Sequence, residues 1–347
     1  MVSMSLSPPI GQAPGVRVLP MEDDPADLKV WTRKHMATGL SDLLQTCIIA
    51  RCRWLMKHDP VTFARHIAWL RRMMKGHLGP VLTLQEAEAM RTAGPHVGLP
   101  GPPTPAEWFA PLKGEPRGFV LYVHGGSFIA ERSPKVTALI GRFAASANAR
   151  VFAPTYRLAP ENPCPAAIED IEGAYAWLAR VYPDEPVVGL AESSGSAILL
   201  SAVLRMKARG EPLPRGLMLL SPWVDLSLQS RSVLTASMFG AGRRTMDAMA
   251  LMARLYLRDM SAADPLASPM FGDLAGLPPM LIHASKADML YDDALRLADK
   301  VRAVNGDLTV RLWTTEGHVW ERERGHGLAA RQSIQLAAEF IRARLAG

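Results

Sequence analysis

The sequence predicts an α/β fold: a mostly parallel central sheet with helices on both faces. Two observations carry this. From Arg117 to the C-terminus, short apolar runs alternate with longer stretches of helical periodicity. The runs themselves are apolar throughout, as in Phe119-Val120-Leu121-Tyr122-Val123, so neither sheet face is left to solvent. Strands are expected at 118–123, 150–156, 186–190, 216–221, 280–284 and 308–313, and helices at 133–147, 166–180, 194–208, 292–304 and 327–345.

Ahead of this alternation, residues 1 to about 25 read as a flexible leader, and 26–95 as an N-terminal helical region. Within it, Asp27 to Lys57 and Pro60 to Lys75 are expected to be helices. Pro60 suits a first turn, and Phe63, Ile67, Leu70 and Met74 recur at three- and four-residue steps. Glycine and proline are dense from Gly94 to Pro116, where Glu107-Trp108-Phe109-Ala110 is expected as an edge strand. The α/β domain then occupies 96–347, interrupted at about 226–270 by an insertion with a methionine-rich helix around Arg243–Leu257.

With 347 residues, 48% of them hydrophobic and 21% charged, the chain can build a large core, which excludes wholesale disorder. A net charge of +6 raises the question of nucleic acid. Yet the basic residues are scattered, the densest pairs being Arg71-Arg72 and Arg243-Arg244, and no nucleic-acid motif accompanies them. Cys47, Cys52 and Cys164 lack metal-ligand spacing; Cys47 and Cys52 read as small buried hydrophobes in a helix. No signal-peptide pattern opens the sequence and no run of 18 apolar residues occurs, so no membrane insertion is expected and a cytoplasmic location is.

Two turns hold the chemistry. Ala191-Glu192-Ser193-Ser194-Gly195 follows a strand-like run, and small residues two places either side of Ser193 fit a strained strand-to-helix nucleophile elbow. Ser194 and Ser196 fail as its centre, since Glu192 or Ile198 would then occupy a position that must be small. Upstream, His124-Gly125-Gly126-Ser127 follows another strand and offers backbone N–H groups to an oxyanion; Gly125, Gly126 and Ser194 are the expected donors. A serine hydroxyl needs a base, and the base an orienting acid. Asp288, on a loop after Met280–Ala284, is the expected acid, with Asp292 and Asp293 better placed to cap a helix. His318, after Thr309–Trp313, is the expected base. His326 near the last helix suits a surface role, His283 a sheet face, and His124 the shaping of its own turn. The set predicts acyl transfer at serine, most simply ester hydrolysis.

At this point the chain resembles the hormone-sensitive-lipase-like branch of the α/β-hydrolase esterases, over about 105 to 345. Besides the two turns, the resemblance rests on the segment from Tyr156 to Asp170, on Ser221-Pro222-Trp223, on Asp264 to Pro269, and on Gly276-Leu277-Pro278-Pro279. It implies an α/β-hydrolase fold with a helical cap from the N-terminal helices and the insertion. It also implies a triad on Ser193, Asp288 and His318, hydrolysis of short- to medium-chain acyl esters, and neither metal nor organic cofactor. A homodimer would be in keeping with it. Ala191 and Ser127 stand where the family usually has glycine, and Glu192 and Ser194 where it more often has Asp and Ala. Three other readings stay open: a lactone, amide or acetyl-group hydrolase of the same mechanism; a lipase whose Trp54, Met56, Trp69, Met73 and Met74 meet lipid; and a non-catalytic small-molecule receptor, against which the presence of His318 argues.

Overall fold

The computed structural model describes residues 15–21, 47, 50–52, 54–55, 58–76, 89–92, 101–238, 240–322 and 327–346. A single nine-stranded sheet runs in the order β1-β9-β8-β7-β6-β4-β5-β3-β2. Its strands are β1 (Val16–Pro20), β2 (Ala89–Thr92), β3 (Ala106–Pro111), β4 (Phe119–Val123), β5 (Arg150–Pro154), β6 (Val187–Glu192), β7 (Leu217–Leu220), β8 (Met280–Ser285) and β9 (Leu308–Trp313). From β1 to β5 every neighbouring pair is parallel; only β5–β3 and β3–β2 are antiparallel.

The apolar runs explain both faces. Along β4, Phe119, Leu121 and Val123 enter one core cluster while Val120 and Tyr122 enter another. β7 does the same with Leu217 and Leu219 against Met218 and Leu220. Successive side chains of a strand point to opposite faces, so a strand buried on both must be apolar at every position. On the first face lie α3 (Ala166–Val181), α4 (Gly195–Ala208) and α7 (Tyr291–Ala303). α2 (Pro134–Ala147) and α8 (Leu328–Ala346) cover the second. Local chemistry sets their ends. In α2, for example, Ser133 accepts the Val136 N–H at 3.4 Å, Pro134 occupies the first turn, and Asn148 closes the helix in the left-handed conformation.

The expected strands and helices of the α/β domain are all present within a few residues of their predicted ends. Other expectations need correction. Val16–Pro20, counted in a flexible leader, is a strand in parallel register with Leu308–Leu312. Its Val-Arg-Val-Leu alternation serves an edge, where Pro20 is tolerated. The strand around Glu107–Ala110 is not an edge, because β2 lies outside it. The four residues of β2 carry no period that separates them from a loop. In the insertion, α5 (Arg231–Ala236) precedes the expected helix, which is α6 (Gly240–Leu257). The second N-terminal helix is α1 (Pro60–Gly76); the first, like most of the leader, falls largely outside the described residues. Cys52 is buried as expected but Cys47 is exposed, and both, with Cys164, are free thiols. No helix among the described residues is long and apolar enough to cross a membrane.

Sequence order along the sheet reverses around β4, with β5 on one side and β6 on the other. Crevices at such points, beyond the carboxyl ends of the strands, are where α/β sheets hold ligands. In the β4–β6 register Val123 faces Ala191, so the turn after β4 and the turn after β6 open side by side.

Candidate active site

Ser193 sits at φ +51°, a left-handed conformation that costs a residue with a side chain on the order of 1–3 kcal/mol unless its surroundings hold it. They do. Its N–H donates to Leu220 O at 2.9 Å, and its C=O accepts from the N–H groups of Ser196 at 3.0 Å and Trp223 at 3.1 Å. The small residue after it is a steric necessity: a Cβ on Gly195 would lie 2.3 Å from Val123 O and 2.5 Å from His124 O. Ala191, where a glycine was the family expectation, is buried in β6 without left-handed strain, so its methyl is accommodated.

Three side chains converge although 125 and 30 residues separate them in sequence. His318 Nε2 lies 2.9 Å from Ser193 Oγ, and His318 Nδ1 lies 2.7 Å from Asp288 Oδ2. Asp288 is almost wholly buried, whereas the His318 side chain is 36% exposed. Burial pushes the Asp288 carboxyl upward. The adjacent His318, its hydrogen bond, the Leu290 N–H at 3.1 Å and the Ser221 hydroxyl outweigh that and hold it below the usual carboxylate range. An ionised Asp288 therefore faces Nδ1–H and leaves Nε2 free to accept the Ser193 proton. Ser221, at φ +43°, also accepts the Val319 N–H at 3.1 Å, so one hydroxyl holds both the acid and the histidine loop.

The rivals lie elsewhere. Asp293 is buried and accepts the N–H groups of Val224 and Asp225 at 3.1 and 3.2 Å. Asp292 accepts the Ser232 N–H at 2.7 Å. Both stand in the first turn of α7, and through these bonds they anchor the start of the insertion. His283 is buried on β8 with Nδ1 2.7 Å from Ser333 Oγ, and burial lowers its pKa to about 3. His326 lies outside the described residues. His124 is buried, its pKa lowered to about 4 by desolvation, so it is neutral and unsuited to proton transfer.

His124 instead fixes a peptide plane. Its Nδ1 donates to Gly125 O at 2.6 Å, and Tyr156 stacks on its ring and donates to His124 O at 2.6 Å. In a trans peptide the N–H points opposite the C=O, so this bond directs the Gly126 N–H away from His124. Gly126 itself, at φ +128°, has no room for a side chain: a Cβ would lie 2.6 Å from Ala130 O. Neither Gly126 N–H nor Ser194 N–H donates to a protein group among the described residues. Gly125 differs from the sequence expectation. Its N–H donates to Glu192 Oε1 at 3.2 Å and is engaged within the protein.

Sequence reasoning missed several residues that hold these turns. Glu192 is fully buried between the Gly125 N–H and Arg322, whose Nε is 3.3 Å from Oε2. The side chain beside Ser193 thus bridges the turn after β4 to the segment that follows His318. Nothing local marks it: it reads as one polar residue in a strained turn. Within the Tyr156–Asp170 segment, Arg157 donates to Asp170 through its backbone N–H at 2.7 Å and Nε at 3.0 Å, which closes the loop that carries Tyr156. No group of three or more His, Cys, Asp or Glu among the described residues could hold a metal ion.

Fold and site together define a protein of the α/β-hydrolase type. Comparison with known proteins agrees. A family model described as an alpha/beta hydrolase fold matches residues 120–322. An acetyl-hydrolase of Streptomyces hygroscopicus is 34% identical over 238 residues, which cover 68% of this chain and 79% of the relative. An esterase of Acinetobacter venetianus is 30% identical, with 64% and 73% covered. Among solved structures, the hormone-sensitive-lipase homologue EstE7 from a metagenome library superposes with a TM-score of 0.70 at 26% identity, covering 94% of this chain and all of that one. An esterase from the bacterial hormone-sensitive lipase family gives 0.68 at 27% identity, with 87% and 98% covered. The chain belongs to the α/β-hydrolase family, in its bacterial hormone-sensitive-lipase-like branch. It is a carboxylic ester hydrolase.

Proposed function

We propose that this enzyme hydrolyses short- to medium-chain acyl esters through an acyl-enzyme, with Ser193 as nucleophile, His318 as base and then acid, and Asp288 orienting the imidazole. The observation that carries the reading is the unbroken hydrogen-bond chain from Asp288 through His318 to Ser193 Oγ. Ser193 Oγ attacks the ester carbonyl carbon as its proton moves to His318 Nε2. The carbonyl oxygen, now an oxyanion, is received by the N–H groups of Gly126 and Ser194. Gly125, whose N–H donates to Glu192, anchors the turn and is not counted among the oxyanion donors. Collapse of the tetrahedral intermediate breaks the bond to the alkoxide, which takes the proton from Nε2. A water then gives a proton to Nε2 and attacks the acyl carbon, releasing the acid and restoring Ser193.

We assign the cap over this site to α1 and the inserted α5–α6 segment. α6 reaches the site's surroundings through Tyr256, which stacks on Phe128 at 4.0 Å. Acetyl esters head the candidate substrates, since one relative is named an acetyl-hydrolase. The test is turnover of p-nitrophenyl esters from acetate to palmitate beside Ser193→Ala. A peak at short or medium chains that disappears in the variant supports the reading. Full activity in Ser193→Ala, or a palmitate optimum appearing only above the micelle threshold, overturns it.

A further inference from the structure

The turn offering the Gly126 N–H is strained over three successive residues: Gly126, Ser127 and Phe128 lie at φ +128°, +51° and +67°. Two of these carry side chains, one of them bulky, and such a run persists only where its surroundings over-determine it. Part of the restraint is local, since the N–H groups of Ile129 and Ala130 both donate to Gly126 O, at 3.1 and 3.0 Å. Part comes from the Tyr156–Asp170 segment, whose Ala159 N–H donates to Phe128 O at 3.0 Å.

A further restraint comes from the N-terminal helix. Arg71, on α1, donates from Nε to Ile129 O at 2.7 Å and from Nη2 to Ala159 O at 2.7 Å. The same guanidinium meets both oxygens of Glu161, Nη1 at 2.9 Å and Nη2 at 2.7 Å. These partners lie 58, 88 and 90 residues away in sequence. One planar fork thus joins the outer end of the strained turn, the segment strapped to it by Ala159, and an acidic side chain that neutralises its charge. Lysine could not reproduce this, because an ammonium offers no fixed fork of donors.

We propose that Arg71 is a positioning residue for ester hydrolysis: by docking α1 on Ile129 and Ala159, it holds residues 126–129 in the conformation that aims the Gly126 N–H at the substrate oxygen. The N-terminal helix is then part of what makes the site competent, beyond covering it. The inference rests on the reading of Gly126 and Ser194 as oxyanion donors.

The experiment measures kcat and KM on p-nitrophenyl butyrate, with thermal unfolding, for wild type, Arg71→Ala, Arg71→Lys, Glu161→Gln and the exposed-surface control Arg258→Ala. Complete loss of an oxyanion donor typically lowers kcat by about 100- to 1000-fold. A donor left in place but released from its restraint should lose about 10- to 100-fold. Arg71→Ala is expected to fall in that range with KM within about threefold of wild type, and guanidinium ion at tens of millimolar should restore several-fold of its kcat. Arg71→Lys should recover little, and Glu161→Gln, which keeps both carbonyl contacts, should remain within about threefold. Should Arg71→Ala not fold, Arg71→Lys against Glu161→Gln carries the test. An Arg71 variant with wild-type kcat, a loss confined to KM, or a loss that guanidinium leaves untouched overturns the proposal. A wild type without esterase turnover, or an active Ser193→Ala, overturns the underlying catalytic reading instead.

Discussion

Replacing Gly195 by alanine adds one methyl at the tightest point of the site. That methyl would meet Val123 O at 2.3 Å, His124 O at 2.5 Å and His124 C at 2.8 Å, whereas Cβ atoms essentially never approach another atom closer than 3.0 Å. All three atoms are backbone, at the end of β4 and the start of the oxyanion turn, so no side chain can swing away. Relief requires at least about 0.7 Å of separation between the β4 end and the start of α4. Ser193 Oγ and the Gly126 N–H sit on opposite sides of that gap, and under the proposed mechanism both must reach one substrate carbonyl. A displacement approaching 1 Å costs on the order of 100-fold in rate, and overpacking of this kind costs about 1–3 kcal/mol in stability. Gly195→Ala is therefore expected to lose about 100-fold in kcat on p-nitrophenyl butyrate and to melt several degrees lower. A folded variant with kcat within threefold of wild type would refute the argument, since it would mean that the two turns do not set each other's positions.

Further expectations follow from the same geometry. Asp288→Asn presents an amide N–H₂ to His318 Nδ1 and drives the proton to Nε2, so kcat should drop on the order of 10⁴-fold with little change in melting temperature; a loss under tenfold refutes the orienting role. Glu192→Ala leaves the buried Gly125 N–H without an acceptor and should lower stability by about 1–3 kcal/mol, read by urea unfolding, together with kcat. Burial raises the Glu321 carboxyl from 4.5 to about 7, against the opposing hydrogen bond from Ser333 at 2.5 Å. A raised pKa in the fold means a contribution present below the unfolded value and lost as pH climbs through about 7. Glu321→Gln, which never ionises, should therefore gain on wild type at about pH 8.5 relative to about pH 5, by at most about 3 kcal/mol. An identical difference in melting temperature at both pH values contradicts it. Ala191→Gly, reinstating the family's residue, should leave kcat within about threefold, because Ala191 bears no left-handed strain in the first place.

The legibility of the site follows the range of the forces involved. Gly126 could be read from sequence because the clash it avoids, with Ala130 O, belongs to its own turn. Gly195 could be read because an elbow calls for a small residue there, although the atoms it clears, Val123 O and His124 O, lie on the turn after β4. Ser193 could be read because an elbow needs small residues at fixed offsets on either side. Asp288 and His318 were singled out by order and by their places after apolar runs, and the fold brings the two side chains together. That pattern also offered Asp292, Asp293 and His326, and only resemblance and position ranked them. Gly125 was read as a donor because a glycine N–H after a strand looks the same whether or not a buried carboxylate receives it. Glu192 does, from 67 residues away. β2 and β1 escaped for a related reason: four or five residues at a sheet edge are strands because a neighbour pairs with them, not because their own period is distinctive.

The sequence by itself determined the α/β class, the two glycine-bearing turns and the set of residues capable of serine-based acyl transfer. Each is written in contiguous residues: apolar runs too continuous to face water, and backbone conformations that only small side chains permit. The tertiary structure decided which carboxylate meets which histidine, which backbone N–H groups stay available, and what holds the strained turn after β4. Those outcomes depend on groups such as Arg71, Glu192, Ser221 and Arg322. Their partners lie mostly on loops that follow other strands, and a hydrogen bond between residues tens of positions apart leaves no mark in the chain until the sheet aligns its ends.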